Sequence, residues 1–274
     1  MIFDSHAHIN YDGYSAEERE ELIRAIESSE VDYVLDVGFD LSSSRVAAAH
    51  AERLPWCFAA VGLHPHDAAN ATDKTIAEIR ELLPRPGVVA VGEIGLDYYR
   101  NLSPKDVQQD MFRKLLRIAA EANLPVTIHD RDSEGDTLRI LKEEGLFDAG
   151  RKAAFAPNPE TGIPDARVLL HCFSGTADEA LAAIELGATI SIAGPVTYKK
   201  NDKTREVAAR IPLSHMLIET DAPYLSPEPF RGKPNSSPFI VFTARKIAEV
   251  RGVSEQEIED ATCRNALRFF GIEG

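Results

Sequence analysis

Residues 1–10 read MIFDSHAHIN, a short apolar start that runs into two histidines spaced two apart. On a strand, positions i and i+2 share a face, so His6 and His8 point the same way and can reach one metal ion from the strand's end. Taken alone, a His-x-His pair also fits a solvated loop. The same kind of ending recurs along the chain, however. VVAVGE closes on Glu93, PVTIH on His129, RVLLH on His171 and MLIETD on Asp221. Unrelated strands deliver such side chains to one place only when they lie side by side, as in a parallel barrel with a metal centre at its C-terminal rim.

Strand-like runs fall at 2–6, 33–37, 58–62, 88–92, 125–129, 167–171, 188–192 and 216–220. Amphipathic stretches lie between them. Ser15 with Glu18 and Ser254 with Glu257 have the form of capping boxes, and Ser103 before Pro104 reads as an N-cap ahead of a first-turn proline. Val107, Met111, Leu115, Ile118 and Ala122 then recur at helical spacing. Eight alternating strand–helix units predict a single (β/α)₈ TIM barrel spanning residues 1–274 as one domain, with its site at the C-terminal rim of the strands. Two segments exceed a minimal barrel. Residues 147–165, rich in Ala, Pro and Gly, read as an inserted loop expected to lie near the rim and modify access. Residues 224–238, with Arg231 and Gly232, read as a loop overhanging the site.

Three scattered cysteines cannot build a disulfide framework and lack the paired spacing of a structural zinc site. Apolar runs reach only about six residues, against roughly 20 for a membrane helix, and the first residues lack the basic and apolar regions of a secretory signal. A cytoplasmic, monomeric protein with no obligate protein partner is the expectation. The net charge of −14 argues against passive wrapping of nucleic acid along a basic surface, while leaving room for one phosphate at a cationic centre. Four histidines and two carboxylates suit two neighbouring divalent ions sharing an anionic bridge. Imidazole favours zinc, nickel or iron, and carboxylate extends the range to manganese and magnesium.

The stretches FDSHAHIN, VGLHPHDA (61–68), VGEIGLDYYR (91–100), PVTIHDRDS (125–133), LLHCFSG (169–175), IETDAPYL (218–225) and TCRNALRFFG (262–271) resemble the TatD family of metal-dependent hydrolases, within the amidohydrolase superfamily. The resemblance covers almost the whole chain. It implies that His6, His8 and Asp221 hold one metal, that His129 and His171 hold the second, and that Glu93 bridges. The fourth strand ends in that glutamate with no lysine nearby, which favours the glutamate-bridged branch over one bridged by a carboxylated lysine. Asp221 would double as proton shuttle. The implied activity is a deoxyribonuclease of 3′–5′ exonuclease type, acting on DNA ends with a hydroxide held between two divalent metals (Mg, Mn or Zn). A hydrolase of another ester or amide, such as a D-aminoacyl-tRNA, shares the site. A metal-binding protein without turnover is the third reading.

Around the ligands, His64 reads either as a substrate contact or as part of a turn built on Pro65, and His66 as a residue of that turn. Glu219 shares a face with Asp221 and is expected behind the ligands as a hydrogen-bond partner. Asp97, Tyr98 and Arg100 are candidates for shaping the substrate cleft. Tyr98 or Tyr99 offers a stacking surface for a base, and Arg231 a phosphate clamp.

Overall fold

The computed structural model describes residues 1–273. In chain order its elements are β1 (Phe3–Ala7), α1 (Ala16–Glu27), β2 (Tyr33–Val37), α2 (Leu41–Arg53), β3 (Cys57–Val61), α3 (Asp73–Leu82), β4 (Val88–Asp97), α4 (Lys105–Glu121), β5 (Val126–Arg131), α5 (Asp136–Glu143), α6 (Ala149–Lys152), β6 (Val168–Leu170), α7 (Ala177–Glu185), β7 (Ala188–Ile192), α8 (Asp202–Arg210), β8 (Met216–Ile218), α9 (Ile240–Arg251) and α10 (Glu255–Phe270). All neighbouring strands pair in parallel, in sequence order from β1 to β8. A parallel bridge between Ala7 and Ala222 brings the ends together. There the Asp221 N–H donates to the His6 carbonyl at 2.9 Å and the His8 N–H to the Ala222 carbonyl at 2.8 Å. The expected TIM-type barrel is thus present, nearly closed, and its seam falls between two ligand-bearing strands.

Alternation along each strand sorts its side chains. Val168 and Leu170 pack in the large cluster that includes helix residues such as Ala180 and Ile184, whereas Leu169 packs with Leu35, Ala90 and Leu217 from other strands. Two residues beyond Leu169 on the same face comes His171, and two beyond Leu217 comes Glu219. The barrel interior is therefore apolar below and polar above. α10 seals the lower end: its Cys263, Ala266, Phe269 and Phe270 join Phe3 in the inner cluster, and Phe3 and Phe270 stack with ring centroids 5.8 Å apart. None of the described helices is long and apolar enough to cross a membrane.

Three sequence expectations change. β4 and β5 run past Glu93 and His129, because they stay paired as far as Asp97 and Arg131. Ser103 does not cap α4; its hydroxyl donates to the His66 carbonyl at 2.8 Å and accepts the Ala69 N–H at 2.9 Å, pinning the loop that carries His64. The 147–165 segment lies at the opposite end from the rim. It leads from α5 into the start of β6, so it packs under the barrel: Asn158 donates to the Ser214 carbonyl at 2.9 Å and Thr161 Oγ1 lies 3.0 Å from His215 Nε2, both residues just ahead of β8.

Gly95 holds the β4–β5 contact at the level of His129. Its φ is +145°, and a Cβ there would sit 1.9 Å from the His129 carbonyl oxygen. Replacing Gly95 by Ala is expected to force the strands apart and to lower stability by about 1–3 kcal/mol, read as a shifted midpoint in urea denaturation; an unchanged midpoint would contradict this.

Candidate metal centre

The six side chains singled out in the sequence meet above the apolar layer, arranged around Glu93. Its carboxylate is almost fully buried and its two oxygens face different partners. Oε2 lies 3.6 Å from His6 Nε2 and 3.8 Å from His8 Nε2. These two imidazoles in turn lie 3.9 and 3.5 Å from Asp221 Oδ1. Oε1 lies 2.8 Å from both His129 Nδ1 and His171 Nε2, and 3.6 Å from His64 Nε2. Burial works against the charge on Glu93, but His171, His64 and the hydrogen bonds from His129 and His171 hold it well below the usual carboxylate range.

Whether the group fits a cation can be judged from spacing. Contacts of 3.5–3.9 Å are too long for hydrogen bonds. Ligands about 2.0–2.2 Å from a shared tetrahedral ion lie about 3.3–3.6 Å apart, so the His6–His8–Asp221–Glu93 set is close to that requirement. His6 Nε2 is buried without a hydrogen-bond partner, a state that costs about 1–3 kcal/mol unless something answers it. The set also favours positive charge: burial opposes protonation of His8, yet Asp221, Glu93 and the Val37 carbonyl raise it to about 9. Three triads have ligand atoms mutually within 4.8 Å: His6–His8–Glu93, His6–His171–Asp221 and His64–Glu93–His129. The residues present fit divalent metal.

His8 and His129 are each aimed by a second contact. His8 Nδ1 donates to the Val37 carbonyl at 2.7 Å, which turns Nε2 to the centre. His129 Nε2 lies 3.2 Å from Asp97 Oδ2, and the same oxygen is 2.8 Å from His66 Nε2. Asp97 is therefore a buried brace behind His129 and not part of a substrate cleft. Gln108 of α4 fixes its backbone, accepting the Asp97 N–H and donating to the Asp97 carbonyl. Glu219 Oε1 faces His171 Nδ1 at 3.5 Å, while its Oε2 accepts the Ser191 hydroxyl at 2.6 Å. The rings of His6 and His171 stack with centroids 3.9 Å apart.

His64 has the turn role of its sequence reading. Its Nδ1 accepts the His66 N–H at 3.1 Å and caps the short turn at Pro65–Asn70. That leaves the proton of the neutral ring on Nε2, pointing into the centre as a donor. Burial keeps the ring neutral, pushing it well below the ordinary histidine value. Tyr98 disagrees with its sequence reading. It is buried against α4 and α5, its hydroxyl 2.8 Å from Asp136 Oδ2 and 2.7 Å from Gln109 Nε2. Tyr99, next in the chain, is the exposed ring, with Arg131 stacked over it at 3.9 Å. Arg231 is exposed on the loop after β8 and lies over the Tyr198 ring at 4.4 Å. Asn235 is buried and holds that loop through the Thr220 and Tyr224 carbonyls.

Eight parallel strands with histidines and carboxylates clustered at their C-terminal ends are the architecture of metal-dependent hydrolases with an amidohydrolase-like fold. Residues 3–271 match the family model described as TatD related DNase, and the chain belongs to the TatD family of metal-dependent hydrolases. It is 40% identical over 272 residues to the uncharacterized metal-dependent hydrolase YabD of Bacillus subtilis, covering 99% of this chain and all of that protein. It is 34% identical over 262 residues to the 3′–5′ ssDNA/RNA exonuclease TatD of Escherichia fergusonii, covering 94% of each. Among solved structures, YJJV, the TatD homolog of Escherichia coli K12, superposes with a TM-score of 0.85 at 28% identity, covering 99% of this chain and 98% of that one.

Because Asp97 braces His129, Asp97→Ala is expected to weaken divalent-metal binding about 10–100-fold while leaving the barrel folded. Calorimetric titration of the metal-free protein with zinc or manganese checks this; unchanged affinity would remove Asp97 from the centre.

Proposed function

We propose that this chain is a two-metal nuclease that removes nucleotides from the 3′ end of single-stranded DNA. The observation that carries the reading is the division of Glu93. One oxygen faces His6 and His8, and through them Asp221, while the other faces His129, His171 and His64. A carboxylate with ligands grouped on both of its oxygens is suited to bridge two ions, the arrangement used for in-line displacement at phosphorus. The 34% identity to an exonuclease over 94% of both chains supports the choice of bond.

In this reading His6, His8 and Asp221 would hold one ion, His129 and His171 the other, and Glu93 would contribute to both. The chemistry such ions supply when bound is Lewis-acid polarisation of the phosphoryl group and acidification of water. The chain's own groups do the rest. Asp221 is the carboxylate at the mouth, its side chain 15% exposed against 6% for Glu93. It accepts the proton of the attacking water and returns it to the leaving oxygen. His64, neutral and with its proton on Nε2, donates to a phosphate oxygen. Asp97 and the Val37 carbonyl keep two imidazoles aimed, so little reorganisation of those rings is needed as charge develops.

The test is incubation of a 5′-labelled single-stranded 20-mer with enzyme and magnesium or manganese, beside an aminoacyl ester under the same conditions. Stepwise shortening from the 3′ end is expected, with Asp221→Asn at least about 100-fold slower and EDTA abolishing turnover. Ester turnover without shortening of the oligonucleotide would replace the nuclease reading by an esterase one. Full activity of Asp221→Asn would remove the shuttle.

A further inference from the structure

At the same end of the barrel as the metal centre, the loops after β7 and β8 form a cleft of about 380 Å³ lined by Tyr198, Lys199, Lys200, Asn201, Glu228 and Arg231. The two loops are tied together: the Tyr198 hydroxyl donates to the Ser226 carbonyl at 3.0 Å and the Glu228 N–H to Thr197 Oγ1 at 2.9 Å. The loop that carries Arg231 follows β8, and Tyr224 on it sits with its ring centroid 6.1 Å from that of His8.

Its charge runs against that of the molecule. In a chain of net −14, three cations line this cleft and one acid does. None of Lys199, Lys200 and Arg231 forms an ion pair among the described residues, whereas many other surface cations do, including Arg113, Arg139 and Arg210. Unpaired cations at one spot on an acidic body draw a polyanion there, while the rest of the surface repels it. Arg231 adds shape to charge. Its guanidinium rests on a tyrosine fixed by its own hydrogen bond, which leaves the outer face of a flat cation open for a base to stack on.

We propose that this cleft is a second substrate site, holding the backbone of a single-stranded nucleic acid beyond the scissile phosphate, with Lys199 and Lys200 on phosphates and Arg231 against a base. The proposal rests on the nuclease reading and specifies how the body of the strand is held while its end is at the metals. A site of this kind makes affinity rise with strand length and fall with salt.

The test uses the full chain in EDTA, so that binding is read without cleavage, with fluorescence anisotropy of a labelled single-stranded 12-mer and a dinucleotide across a range of salt. For Lys199→Ala/Lys200→Ala/Arg231→Ala the 12-mer Kd is expected to rise about tenfold or more. The slope of log Kd against log salt should fall by about 1.4, two phosphate contacts at about 0.7 each on a single strand. The loss should be larger for the 12-mer than for the dinucleotide, and Lys199→Arg/Lys200→Arg should bind as the parent does. If the parent shortens the 20-mer but the triple variant keeps its 12-mer affinity and salt slope, the cleft is not a strand site and the nuclease reading stands. If the parent neither binds nor cuts oligonucleotides, both readings fall. If polyglutamate of matched charge displaces the 12-mer as well as unlabelled 12-mer does, the cleft reads charge alone and the nucleic-acid assignment is overturned.

Discussion

Five imidazoles lie within 4 Å of one carboxylate, and that carboxylate has almost no access to water. A lone buried charge of this kind is expensive, and in most proteins it is neutralised or turned outward. Glu93 instead stays ionised because histidines from β1, the loop after it, the loop after β3, β5 and the end of β6 surround it. Those histidines reach it only if the strands are neighbours in the right register, and the register depends on the apolar layer below. Leu169 and Leu217, each packed inward, fix the inward direction of His171 and Glu219 two residues later. Fold stability and the electrostatics of the site therefore share one physical origin, the period of two along a parallel strand.

The centre is also layered outward. Behind His129 stands Asp97, behind Asp97 stands Gln108, and Gln108 belongs to a helix whose apolar stripe is buried against the barrel. Behind His8 stands the Val37 carbonyl, which also accepts from Asn10; Asn10 donates to Asp36, and Asp36 pairs with His50 of α2 at 2.7 Å. Side chains that never touch the centre thus set its ring orientations. Changes in the helical layer should be felt there as misalignment of ligands more than as loss of charge.

Much of this was legible in the chain. Apolar runs ending in His, Glu or Asp reveal both the barrel and the inventory at its rim, because burial and alternation impose a strong pattern on strands. Direction beyond a strand's visible end was less legible. In GLDYYR, Asp97, Tyr98 and Tyr99 look equivalent as sequence, and only the continued pairing of β4 with β5 turns Asp97 inward, Tyr98 toward α4 and α5, and Tyr99 out. The 147–165 segment was misplaced for a different reason. A connection that leads into a strand lies at the barrel's lower end whatever its length, and composition carries no trace of that parity. The direction of the His64 ring rests on which of its nitrogens accepts a backbone N–H, a detail below the resolution of any motif.

The floor built by α10 has a consequence for traffic. With Phe3, Phe269 and Phe270 packed across the lower end, the barrel is a blind well with a single opening. Whatever is released at its top cannot pass through and leave behind the reaction. It must back out through the same mouth that admits the next substrate, so departure and entry compete for one doorway. In an enzyme of this shape, the loops around the opening govern turnover as much as the groups at its centre do.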